Sequence, residues 1–75
     1  AARRRWASDV QLVVNGRPSE VADGTTLLAL IEQLGLRPGS VVVELDGHAL
    51  LRSELDGVVL RDGQRLELVR AVAGG

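Results

Sequence analysis

The chemistry open to this chain is concentrated in its last five residues, Ala71-Val72-Ala73-Gly74-Gly75. Read as a free C-terminus, Gly75 is expected to present a carboxylate directly after a segment, Gln64 to Val69, that has the pattern of a strand. A carboxylate at neutral pH accepts hydrogen bonds and is no electrophile. It becomes one when its oxygen is converted into a leaving group, as in an acyl adenylate formed from ATP. The chain carries no G-x-x-x-x-G-K-[ST] phosphate loop, so ATP is expected to be used by an outside activating enzyme, with no cofactor bound here. Glycine has no Cβ, and its backbone enters channels too narrow for other residues. Gly74 and Gly75 therefore read as the reactive end, and Ala71, Val72 and Ala73 as the slim segment that follows them into a partner's active site. The bland alternative is a frayed glycine-rich end or an expression scar.

Other chemistries find little support. There is no cysteine, hence no thiol nucleophile, thiolate metal site or disulfide. The single histidine, His48, lies near Asp46 beside a turn, with no nucleophile close in sequence, and reads as an exposed turn residue rather than half of an acid–base pair. No His/Cys/Asp cluster has metal spacing, so no metal is expected. Net charge is −1 and Trp6 is the only aromatic, which argues against nucleic-acid binding. No apolar run approaches a membrane span. Arg3-Arg4-Arg5 is basic, but no apolar stretch follows it as in a signal peptide, and a cytoplasmic protein is expected. All nine basic residues are arginine, so a tag of this sequence would not build chains through its own lysines.

The elements that must position the tail follow from periodicity. Residues 1–9 read as a disordered leader, 10–70 as one domain and 71–75 as a flexible tail. Val10, Leu12 and Val14 alternate with Gln11 and Val13, a half-buried strand. Asn15-Gly16 signals a hairpin, and Pro18 places the return strand, Arg17 to Val21, at a sheet edge. Thr26 is placed to cap a helix whose Leu27, Leu30, Ile31 and Leu34 form one apolar stripe, with Leu28 off it. Gly35 closes the helix and Pro38 prevents its resumption. Val41 to Leu45 is the next strand, turned at Asp46-Gly47 into a short return over His48 to Leu51. Arg52 to Gly57 reads as irregular, Val58 to Leu60 as a brief pairing segment, Asp62-Gly63 as a turn, and Gln64 to Arg70 as the last strand with Leu66 and Leu68 inward. One amphipathic helix must bury its stripe on one face of the sheet, giving a two-layer α+β roll.

Several of these pieces, in this order, resemble the ThiS family, the sulfur carriers of thiamine biosynthesis. They are Val14-Asn15-Gly16, Asp23-Gly24-Thr25-Thr26, Leu34-Gly35-Leu36, Val43-Glu44-Leu45-Asp46-Gly47 and Leu60-Arg61-Asp62-Gly63, leading to Gly74-Gly75. The similarity covers about residues 10 to 75. The chain departs from the family at Asp46, where Asn is usual, near Leu55, where an aromatic is usual, and near Gln64, where an acid is usual.

The resemblance implies a β-grasp, ubiquitin-like roll: a mixed sheet of four to five strands with one helix on one face. It implies that the chain is a protein co-substrate and no enzyme. An adenylating enzyme related to ubiquitin activators would adenylate Gly75, and sulfur from a cysteine desulfurase persulfide would convert it to a thiocarboxylate. Thiazole synthase would take that sulfur while building a thiazole from a deoxyxylulose phosphate intermediate. In such a fold Val13, Val42 and Val69 would share the solvent face and form a docking patch for these partners. The small subunit of molybdopterin synthase, a carrier for cysteine synthesis, a lysine-conjugated protein modifier and a plain binding module are the alternative readings.

Overall fold

The computed structural model describes residues 9–70. The expected leader, including Trp6, and the expected tail lie outside the described residues, apart from Asp9. Asp9 is already part of the first strand, one residue before the alternation begins.

Five strands and one α-helix follow in the order β1 (Asp9–Val14), β2 (Arg17–Ala22), α1 (Leu27–Gln33), β3 (Val41–Leu45), β4 (His48–Leu50) and β5 (Arg65–Arg70). The strands form one sheet in the order β2-β1-β5-β3-β4. β1 and β5 are parallel neighbours at its centre, and the other three pairings are antiparallel. This is the mixed β-grasp sheet that the resemblance implies. Pro18 sits on edge strand β2 opposite Val13, where its missing N–H leaves no gap in a ladder.

Both hairpins turn through two residues with positive φ, Asn15 at 50° and Gly16 at 81°, Asp46 at 50° and Gly47 at 86°. That is the type I′ geometry whose twist matches the flanking strands. Thr26 has extended backbone angles, and its hydroxyl accepts from the Ala29 N–H at 3.1 Å, capping α1. The helix closes in a Schellman motif: Gly35 donates to the Glu32 carbonyl at 2.9 Å and Leu36 to that of Ile31 at 3.1 Å, with Gly35 at φ 77°.

The core joins the inward residues of the central strands (Val10, Leu12, Val14, Val43, Leu66, Leu68) to Leu27, Leu30 and Ile31 of α1. The helix differs from its sequence pattern at two leucines. Leu34 is exposed because it is the C-cap and the chain is already turning away. Leu28, off the stripe, is half-buried against the core.

The segment Arg52–Gly57, expected to be irregular, is a 3₁₀ helix that lowers Leu55 into the core at 2% exposure. Glu54 organises its start, since its carboxylate accepts from the Leu51 N–H at 2.6 Å. Leu60 is buried beside it. The intervening strand-like stretch pairs with the entry to α1: Leu27 donates to the Val58 carbonyl at 3.0 Å, and Leu60 donates to that of Thr25 at 2.9 Å. These non-local bonds tie the entry of the helix to the segment that follows the 3₁₀ helix.

Candidate functional site: the root of the tail and the outer sheet face

Residues 71–75, with the expected reactive Gly74 and Gly75 and the expected entering segment Ala71, Val72 and Ala73, lie outside the described residues. The structure does describe their root, which is the end of β5. Antiparallel pairing with β3 sets Arg70 opposite Val41 and Val69 opposite Val42. On its other side β5 runs parallel to β1 only as far as Val14 opposite Leu66. β5 thus projects beyond β1 and delivers the chain to one end of the sheet.

Three side chains grip β5 and the turn before it. Asp62 accepts from the Gln11 N–H at 2.7 Å, while Gly63 donates to the Gln11 carbonyl at 2.8 Å. Asp46 accepts from the Arg65 N–H at 2.9 Å, and its own N–H donates to the Arg65 carbonyl at 2.8 Å. Asn15 accepts from the Leu68 N–H at 2.7 Å and donates to the Leu68 carbonyl at 3.2 Å. Sequence reading assigned Asn15, Asp46 and Asp62 only to turns. Their reach to distant strands was not legible there.

On the face away from α1, alternation turns Arg65, Glu67, Val69, Val42 and Glu44 to solvent. Val42 and Val69 are a direct cross-strand pair, 49% and 58% exposed. Continuing the β3–β4 register by one step sets Leu51 opposite Val42, and Leu51 is 68% exposed. The exposed pair Val42-Val69 therefore spans two strands beside the root of the tail, and Leu51, just past the end of β4, extends this register as an exposed apolar neighbour.

The sequence reading missed Leu51, although it continues the alternation of Ala49 past the end of β4. Val13 is not in the row. It is half-buried between Pro18 and Arg65, and Val69 lies about 13 Å further along β5 at the rise of a strand. The expected three-valine patch becomes a pair joined by a leucine, because β1 runs alongside the beginning of β5 and not its end.

Charge separates the two ends. A shallow cleft of about 340 Å³ at the tail end is lined by Gly35, Leu36, Arg37, Ser40 and Arg70. Arg52 lies over Gly39 next to it, with Nη1 3.0 Å from where a Cβ on Gly39 would sit. The opposite end carries a wider cleft of about 550 Å³ among Asp9, Asp23, Asp62, Arg61 and Val59. His48 is exposed on β4 opposite Leu45, while the Asp46 carboxylate is taken up by β5, so the structure does not pair them as acid and base. Among the described residues no group of three or more His, Asp or Glu is placed to hold a metal ion.

Comparison with known proteins gives this geometry its context. The model of the ThiS family matches residues 12–75. The sulfur carrier protein ThiS of Thermus thermophilus is 36% identical over 62 residues, covering 83% of this chain and 95% of its own length. A thiazole synthase of Magnetococcus marinus is 33% identical over 66 residues, and the chain spans only 20% of that protein's length. The share is the same for a thiazole synthase of Paramagnetospirillum magneticum at 32% identity. The crystal structure of a thiamine biosynthesis protein (ThiS) from Geobacter metallireducens superposes with a TM-score of 0.74 at 33% identity, covering 88% of this chain and all of that one. The family match runs across the sheet, the helix and the closing glycines, and a relative of the same size aligns over almost its whole length: the chain belongs to the ThiS family.

Proposed function

We propose that this chain is a sulfur carrier of thiamine biosynthesis and acts as a protein co-substrate, with Gly75 as the loaded residue. The observation that carries the reading is the family match extending past the end of β5 and through Gly74-Gly75. An adenylating enzyme uses ATP to convert the Gly75 carboxylate into an acyl adenylate, releasing pyrophosphate. The terminal sulfur of a persulfide, supplied by a cysteine desulfurase, attacks the acyl carbon and expels AMP. A thiol then cleaves the resulting acyl disulfide, leaving the thiocarboxylate on Gly75 and a disulfide on the donor side. The reading places these steps in the cytoplasm, where ATP and thiols are at hand.

Thiazole synthase is the acceptor on this reading. Its support is that two proteins of that name contain a segment similar to this chain. The domain's own contribution is presentation. Ala71, Val72 and Ala73 keep the approach slim, and the glycines let the backbone enter a confined site. The row Leu51-Val42-Val69 gives the partners an apolar surface next to the root of the tail, where contiguous exposed apolar side chains mark interaction sites.

Intact mass spectrometry tests the loading. After incubation with ATP, a cysteine desulfurase and the cognate adenylating enzyme, the chain gains the mass difference of one sulfur for one oxygen, and fragmentation assigns it to Gly75. An unchanged mass with an enzyme that loads its own carrier in the same mixture overturns the reading.

A further inference from the structure

Successive residues of a strand point their backbone N–H and C=O groups to opposite sides, so each residue of β5 addresses either β1 or β3. Leu68 addresses β1. The parallel ladder on that side runs through Val13 N–H to the Gln64 carbonyl at 3.0 Å and Asn15 N–H to the Leu66 carbonyl at 2.8 Å. The next rung would carry the Leu68 N–H to the backbone carbonyl of Asn15. At Asn15, however, φ is 50° and the chain has already left the strand for the turn.

The side chain of Asn15 stands in for the missing backbone. Its amide has one acceptor and one donor group, the same pair that a peptide presents, and both are used on Leu68, at 2.7 Å and 3.2 Å. The positive φ that the turn demands is also what aims this short side chain back across β5.

We propose that Asn15 is a positioning residue for the loading of the tail: its amide fixes the direction of β5 at the last point where β1 can support it. This rests on the carrier reading of the tail. Leu68 is two residues before Arg70, the end of β5, and beyond it the β1 side offers no strand. A one-residue slip of β5 would turn Leu66 and Leu68 to the outer face and move the root of the tail by about 3.3 Å. A root displaced in that way starts the tail from the wrong place relative to a partner's site and weakens productive binding of the carrier. Burial of Leu66 and Leu68 sets the register, and the two Asn15 bonds of opposite sense hold the Leu68 peptide groups to the β1 side, so that the end of β5 does not peel away.

The test uses two variants of the full chain. Asn15→Gly keeps the turn, since glycine tolerates positive φ, and removes the amide. Asn15→Asp keeps the acceptor for the Leu68 N–H and sets a carboxylate oxygen against the Leu68 carbonyl. Amide hydrogen exchange reports the clamp. In Asn15→Gly the Leu68 amide exchanges roughly tenfold faster relative to the Leu12 amide, the scale of one lost hydrogen bond; Asn15→Asp is intermediate.

Steady-state loading by the adenylating enzyme reports the positioning. In Asn15→Gly the KM for the carrier rises about fivefold while kcat stays within twofold of wild type, and Asn15→Asp recovers part of the loss. A merely structural role would lower stability but leave the KM of the folded fraction unchanged. Accelerated Leu68 exchange with an unchanged KM therefore overturns the positioning role and leaves the carrier reading intact, and unchanged exchange overturns the clamp itself. A wild-type chain that is never loaded overturns the carrier reading and the positioning role together, although exchange still measures the clamp. If Asn15→Gly does not fold, Asn15→Asp decides by the same two readouts.

Discussion

The two faces of the sheet are built from the same strands and the same alternation, and they serve opposite ends. The inner face sets Leu12, Val43, Leu66 and Leu68 against α1, where all four are buried. The outer face sets Leu51, Val42 and Val69 in a row that nothing covers among the described residues. A single strand, β5, contributes Leu66 and Leu68 to one and Val69 to the other. The difference teaches that hydrophobicity alone says little about role. A helix tied down by the Thr25–Leu60 and Leu27–Val58 bonds converts one face into a core and leaves the other open to solvent.

The comparison is broken most severely from the inside. Leu66→Ala removes a side chain with no exposure at the centre of the core and should cost about 2–5 kcal/mol, read by denaturant unfolding. A loss below about 1 kcal/mol would mean that the inner face is not the core. Leu55→Ala should cost about 2 kcal/mol or more, because the 3₁₀ segment closes the core from the side. A surface-like effect there would place Leu55 outside it.

Gly47→Ala puts a Cβ at φ 86°, and should cost about 1–2 kcal/mol with the β3–β4 register and the outer row otherwise intact. Thermal unfolding reads that change, and no loss would argue against the type I′ turn. The smallest stability effect belongs to the outer face. Val69→Asp should change stability by no more than about 0.5 kcal/mol while weakening binding to the adenylating enzyme or thiazole synthase. Val13→Asp, about 13 Å along β5 from that pair, should weaken it less. Equal affinity of Val69→Asp and wild type in a direct binding assay would sink the apolar row as a docking surface.

How much of this was legible in the sequence depends on the range of the interaction. The Asn15-Gly16 turn, the Thr26 cap, the Gly35 stop and the Pro18 edge strand are visible in the residues because each is enforced within a few positions of itself. Leu55 was not visible, because nothing in Arg-Ser-Glu-Leu-Asp-Gly has a period of two or 3.6, and its burial comes from packing against the core. Leu28 and Leu34 were exchanged for a related reason: the stripe of a two-turn helix is narrower than the surface it covers, and the C-cap lies past the end of the cover. The outer row was half legible. Val42 and Val69 follow from alternation, but their direct pairing and their separation from Val13 are matters of register.

By itself, the sequence determined the local frame: the two tight hairpins and one capped helix with an apolar side. These rest on steric rules for single residues and on local periodicity. Only the tertiary structure decided which strands lie side by side, and with that which side chains meet: Asn15 with Leu68, Asp46 with Arg65, Val42 with Val69. The physical reason is that parallel pairing of β1 with β5 joins segments about fifty residues apart, so its register is set by simultaneous burial of both strands and not by either alone.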